Sequence, residues 1–95
     1  MVRLRILLLS GASLVGQNVL ACLAPWRDRF VVAATSSVAD DPFLFEFDRV
    51  YHVPQVRREP LAHATRFDGV IGHFEPDLVV PCRDDDVGFL AARRE

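Results

Sequence analysis

The residues best suited to chemistry form two short clusters. The first, Gly11-Ala12-Ser13-Leu14-Val15-Gly16, follows the apolar run Arg5-Ile6-Leu7-Leu8-Leu9 and opens a stretch of helically spaced apolar residues. A strand, a glycine turn and a helix start in that order present free backbone amides to a phosphate or dinucleotide. The spacing here is G-x-S-x-x-G. Gly11 permits a tight turn and Gly16 a close approach of helix to sheet, while Ser13 stands where a glycine would bare the backbone to a pyrophosphate. A ribose-binding acid is expected near the end of the next strand, but Thr35-Ser36-Ser37 occupy that place and Asp40 comes too late. The turn is therefore open to three readings: a nucleotide site, a loop facing a small polar ligand or partner, and a structural turn.

The second cluster is Arg83-Asp84-Asp85-Asp86, at the carboxyl end of the last strand-like run. Open α/β sheets place ligands at that edge, which makes Arg83 and Asp84 candidate ligand-facing residues with Ser10, Gly11, Ser13 and Gly16. The aspartates are also expected to cap the amides of the following helix and complement its dipole. His52, His63 and His73 have no ligand-like spacing and are expected at the surface or at sheet edges. Ser13 lacks the G-x-S-x-G spacing of a nucleophile elbow. All 11 basic residues are arginines, so a Schiff base, a Walker-type lysine and a tyrosine-lysine dehydrogenase pair are excluded within the chain. No catalytic residue and no metal site are expected.

The chain has 95 residues, room for one domain with a modest core. A hydrophobic content of 51% exceeds the usual share slightly, while 25% charged residues argue against a membrane protein. The net charge is -2 and the pI about 5.9, without the basic footprint of a nucleic-acid binder. Cys22 and Cys82 lack close metal or redox spacing. They are expected to be free, buried thiols, which fits a reducing, cytoplasmic setting. Val19-Leu20-Ala21-Cys22 resembles a lipoprotein cleavage site, but Gln17 and Asn18 interrupt the apolar run that such a signal needs.

These residues must be positioned by elements that the pattern also marks. Strands are expected at Arg5 to Leu9, Phe30 to Ala34, Val50 to Val53 (a short edge strand before Pro54) and Asp77 to Pro81. A helix is expected from Leu14 to Leu23, stopped by Pro25. A second runs from Glu59 to Phe74 with Leu61, Ala64, Phe67, Ile71 and Phe74 on its apolar face. A third starts after Asp86, with Val87, Leu90 and Ala91 inward. A loop with Asp40-Asp41-Pro42 and the aromatics Phe43, Phe45 and Phe47 is expected from Thr35 to about Asp48. The order predicts an α/β fold: a small Rossmann-like, doubly wound parallel sheet of about four strands with helices on both faces. The final helix, running uncapped into Arg93-Arg94-Glu95, leads to the expectation that 1-95 is one N-terminal domain of a longer protein.

Together these features resemble the N-terminal domain that precedes the ATP-binding portion of ATP-grasp enzymes, the carbamoyl-phosphate-synthase-like carboxylate-amine ligases. The cues are Ile6-Leu7-Leu8-Leu9-Ser10-Gly11 with Gly16, then Asp48-Arg49-Val50-Tyr51-His52-Val53-Pro54, then Pro76-Asp77-Leu78-Val79-Val80-Pro81 with acidic residues after it. The resemblance implies a non-catalytic, substrate-side scaffolding domain whose partners are C-terminal ATP-grasp domains. ATP and magnesium would be held there, with no cofactor in this chain. It maps ligand-facing loops onto Ser10, Gly11 and Ser13, and onto Arg83 and Asp84. The alternatives are an NAD(P)-binding domain of an extended dehydrogenase or epimerase and a flavodoxin-like interaction module. Apolar surface left for absent domains predicts a homodimer or larger species.

Overall fold

A run of four successive apolar residues must be covered on both faces, and β1 (Leu4–Leu9), with Ile6 to Leu9 all buried, accordingly lies at the centre of the sheet. The computed structural model describes residues 3–38, 44 and 46–93. After β1 come α1 (Leu14–Leu23), a 3₁₀ segment (Ala24–Arg29), β2 (Phe30–Ser36), β3 (Arg49–His52), α2 (Pro60–Phe74), β4 (Leu78–Pro81) and α3 (Asp84–Ala92). The four strands lie in the order β3-β2-β1-β4, and every pairing is parallel. Leu7 pairs with Ala33 of β2 on one side and Val79 of β4 on the other.

The chain winds outward from β1 through β2 to the edge strand β3, then crosses back to place β4 on the other side of β1. This is an α/β, doubly wound parallel sheet compatible with a small Rossmann-like fold. One face, with Ile6, Leu8, Val32 and Ala34, packs against Leu20 of α1 and Phe47. The other, with Leu7, Leu9 and Ala33, packs against Phe67, Val70 and Phe74 of α2 and Phe89 and Leu90 of α3. Fully burying a leucine such as Leu7 or Leu8 is worth roughly 1.5–3 kcal/mol. Among the described residues no helix is long and apolar enough to cross a membrane.

The expected segments depart from the structure where polar residues are buried. β2 continues through Thr35 and Ser36, which pair with Tyr51 and His52 of β3 and are themselves buried, so the loop begins later than the pattern predicts. Asp40, Asp41, Pro42, Phe43 and Phe45 lie outside the described residues. The buried stripe of α2 is His63, Phe67, Val70 and Phe74, rotated from the expected face, and Leu61 is 84% exposed. In α3 Asp86 is buried while Val87 points out. His63 is thus a core residue rather than a surface one, and Cys22 is exposed while only Cys82 is buried.

The capping expectation for α3 also changes. Its N-cap is Arg83, still in extended backbone (φ -136°, ψ 159°) and without a side-chain cap, so Asp84, Asp85 and Asp86 fill the first turn instead. They complement the helix dipole without capping it.

Candidate functional site: a polar cleft at the sheet switch point

The glycine turn that leaves β1 is closed on itself. Ser10 N–H donates to the Thr35 hydroxyl at 3.1 Å, and Gly11 N–H to the Thr35 carbonyl at 3.2 Å. Ser13 N–H donates to the Ser10 carbonyl at 3.0 Å. Ser13 Oγ, as N-cap of α1, accepts from Gly16 N–H at 3.2 Å. Gln17 covers the turn by donating its side-chain amide to the Ala12 carbonyl at 2.8 Å. Four amides of the turn, those of Ser10, Gly11, Ser13 and Gly16, are therefore engaged within the fold.

The two glycines serve packing. A Cβ on Gly16 would lie 2.2 Å from the Gly11 carbonyl oxygen, and one on Gly11 would lie 2.5 Å from Ala34 Cβ. The left-handed backbone of the turn falls on Ser10 (φ 58°), not on Gly11. A non-glycine residue there costs roughly 1–2 kcal/mol, a strain that persists only where its surroundings impose it.

β1 leads into α1 on one face of the sheet, and β4 into α3 on the other. The loops after these neighbouring strands diverge, opening the crevice that doubly wound sheets offer to ligands. A cleft of about 240 Å³ lies there, lined among others by Ser10, Thr35, Arg57, His63, Arg83 and Asp86. A smaller hollow of about 130 Å³ adjoins it and includes Ser10, Ser13 and Arg83. Of the residues singled out from sequence, Ser10, Ser13 and Arg83 thus come together at the crevice. Gly11 and Gly16 are buried behind it, and Asp84 is exposed on the first turn of α3, outside both hollows.

The motif from Asp48 to Pro54 shapes this cleft from the β3 side. Asp48 accepts from Val32 N–H at 2.8 Å and from Arg27 at 2.9 Å, fixing where β3 enters the sheet. Partial burial costs its carboxylate some hydration, but the Val32 amide, Arg27 and the more distant Arg3 outweigh that and hold its pKa below the ordinary value. Tyr51 Oη lies 2.7 Å from His73 Nδ1, tying β3 to α2. The Pro54 carbonyl accepts from His63 Nδ1 at 2.7 Å. With Nδ1 protonated in that bond, Nε2 of the neutral ring is an acceptor.

His63 and Asp86 are the two residues that sequence reasoning missed. Each is about 95% buried, at 5% and 4% exposure, and both line the cleft. His63 packs edge-on against Phe89 with ring centroids 4.6 Å apart. His63 Nε2 and Asp86 Oδ2 are buried with no hydrogen-bond partner among the described residues. Burial pushes the Asp86 carboxyl above its ordinary value, opposed by the Ser10 hydroxyl, by His63 whenever its ring is protonated and by the charge of Arg83, and reinforced by Asp85. Cys82, buried beside it, is pushed up to about 11 by desolvation and by the Asp86 charge.

Among the described residues no three His, Cys, Asp or Glu side chains gather as a metal site would require. The chain also has no lysine for a nucleotide phosphate. Comparison with known protein families, curated proteins and solved structures finds no match to this chain.

Proposed function

We propose that this chain is the non-catalytic, substrate-side domain of an ATP-dependent carboxylate-amine ligase of the ATP-grasp type. The observation that carries this is the polar cleft at the β1/β4 switch point, set beside a glycine turn of which four amides are engaged internally. A fold that places a ligand cleft where dinucleotide domains do, yet closes its phosphate turn, fits a wall for a small polar substrate better than a nucleotide site. ATP and magnesium belong to the partner ATP-grasp domains, and this domain contributes shape and orientation to the shared cleft. Cytoplasmic placement follows from that role.

Calorimetry of the purified chain with Mg·ATP, NADH and NADPH tests the proposal. Silence toward all three at micromolar concentration is the expected result. Saturable micromolar binding of NADH or NADPH would make the chain a dinucleotide-binding domain, and comparable binding of Mg·ATP would remove the division of labour proposed here.

A further inference from the structure

Two residues that line the switch-point cleft, His63 and Asp86, each carry a buried acceptor without a hydrogen-bond partner among the described residues. Nδ1 of His63 is engaged by the Pro54 carbonyl at 2.7 Å, which leaves Nε2 as a lone-pair acceptor in the neutral ring. Oδ2 of Asp86 is the second, and both atoms lack partners among the described residues. Buried polar atoms are almost always paired, and an orphan costs about 1–3 kcal/mol. Two such atoms, from α2 and α3, lining one cleft point to a ligand that brings donors.

The chemistry narrows that ligand. A carboxylate or phosphate would add more acceptors to acceptors. A hydroxyl brings one donor. A primary ammonium brings three, enough for Asp86, His63 and the neighbouring hydroxyl of Ser10, and its charge offsets that of the buried carboxylate. At the mouth, Arg57 faces Asp85 at 3.4 Å, whereas Arg83 forms no ion pair among the described residues and borders both hollows. A volume of about 240 Å³ is below the roughly 300–1,000 Å³ typical of sites for drug-sized ligands.

We propose that the cleft binds a small α-amino acid, its ammonium held by Oδ2 of Asp86 and Nε2 of His63 and its carboxylate by Arg83. The assignment rests on reading the cleft as the substrate side of a carboxylate-amine ligase, in which the bound amino acid is the amine acceptor. Asp86 and His63 bind and orient the amine, and the transfer of activated carboxylate takes place on the partner domains.

Calorimetric titration of the full chain with glycine, L-alanine, methylamine and acetate tests it. Glycine or L-alanine should bind saturably at millimolar concentration or tighter, methylamine more weakly, and acetate not at all. Asp86→Asn and His63→Gln should each weaken amino-acid binding by about tenfold or more, the usual effect of losing a hydrogen bond to a charged group. Circular dichroism verifies that both variants fold, and Cys22→Ser, at an exposed site on α1, should bind as the parent does. Acetate binding as well as glycine, folded Asp86→Asn binding undiminished, or no amino acid binding at all would each overturn the assignment. These outcomes are separable from the ligase proposal: nucleotide binding by the chain would sink that proposal without touching the amine site, and a failed amine titration would leave a ligase domain for another substrate.

Discussion

The Pro54 carbonyl oxygen lies 2.7 Å from Nδ1 of His63, so a loop residue after β3 determines which imidazole nitrogen of a helix residue is left over. The expected tautomer is protonated at Nδ1, with Nε2 carrying the lone pair. Nitrogen-15 spectra of the imidazole in the neutral form check this. An Nε2 signal in the unprotonated range is expected, and an unprotonated Nδ1 would break the link between Pro54 and the cleft.

Asp86 and Asp48 should give stability-pH profiles of opposite sign. Burial raises the Asp86 pKa in the folded protein, so the native state binds more protons than the unfolded state between the two values. Stability attributable to Asp86 is therefore full below the ordinary carboxylate pKa near about 4 and declines as pH rises through the raised value. Asp86→Asn should unfold at a higher urea concentration than the parent at neutral pH, with the gap closing in acid. Asp48 is held low by Val32 and Arg27. Asp48→Asn should cost stability at neutral pH, and that cost should fade as pH falls through the lowered value.

The glycines divide into two classes that substitution by alanine will separate. Gly16→Ala drives a Cβ into the Gly11 backbone and Gly11→Ala drives one into Ala34. Each should destabilise by about 3 kcal/mol or more, the upper range for overpacking. Gly69 and Gly72 in α2 face open space, and alanine there should stabilise by about 1 kcal/mol each. Urea unfolding of the four variants measures the difference. A tolerated Gly16→Ala would contradict the close packing of α1 on the turn.

The two cysteines should react at very different rates. Cys22 is exposed and Cys82 buried, with the Cys82 thiol pushed up to about 11 and so carrying almost no thiolate at neutral pH. Labelling of the native protein with a thiol reagent should modify one equivalent rapidly, located at Cys22 by peptide mapping. The second should react only on unfolding.

The sheet was legible because its central strand is uniformly apolar: Ile6 to Leu9 leave no face for water, and the spacing of Gly11 and Gly16 marks the turn into α1. The helix faces were less legible. Leu61, Ala64 and Phe67 make an apolar stripe on α2, but the buried one runs through His63, and on α3 it runs through Asp86. A polar residue is assigned outward by default, since burying it costs free energy unless it finds a partner. His63 at i, Phe67 at i+4 and Val70 at i+7 carried a helical signal, as did Asp86 with Phe89 and Leu90. What sequence could not supply was the Pro54 carbonyl that makes a buried His63 tolerable. Thr35 and Ser36 carry a loop signal for the same reason, although Thr35 serves Ser10 and Gly11 from within β2.

We propose that the switch-point cleft, and not the glycine turn, is where this chain meets a ligand. Nitrogen-15 heteronuclear spectra of one sample, titrated first with NADH and then with glycine, test it most directly. NADH should leave the amides of Gly11 to Gly16 unmoved, and glycine should shift Ser10, His63 and Asp86 in a saturable way. Saturable NADH shifts at Gly11, Ala12 and Gly16, with Ser10, His63 and Asp86 indifferent to glycine, would contradict it.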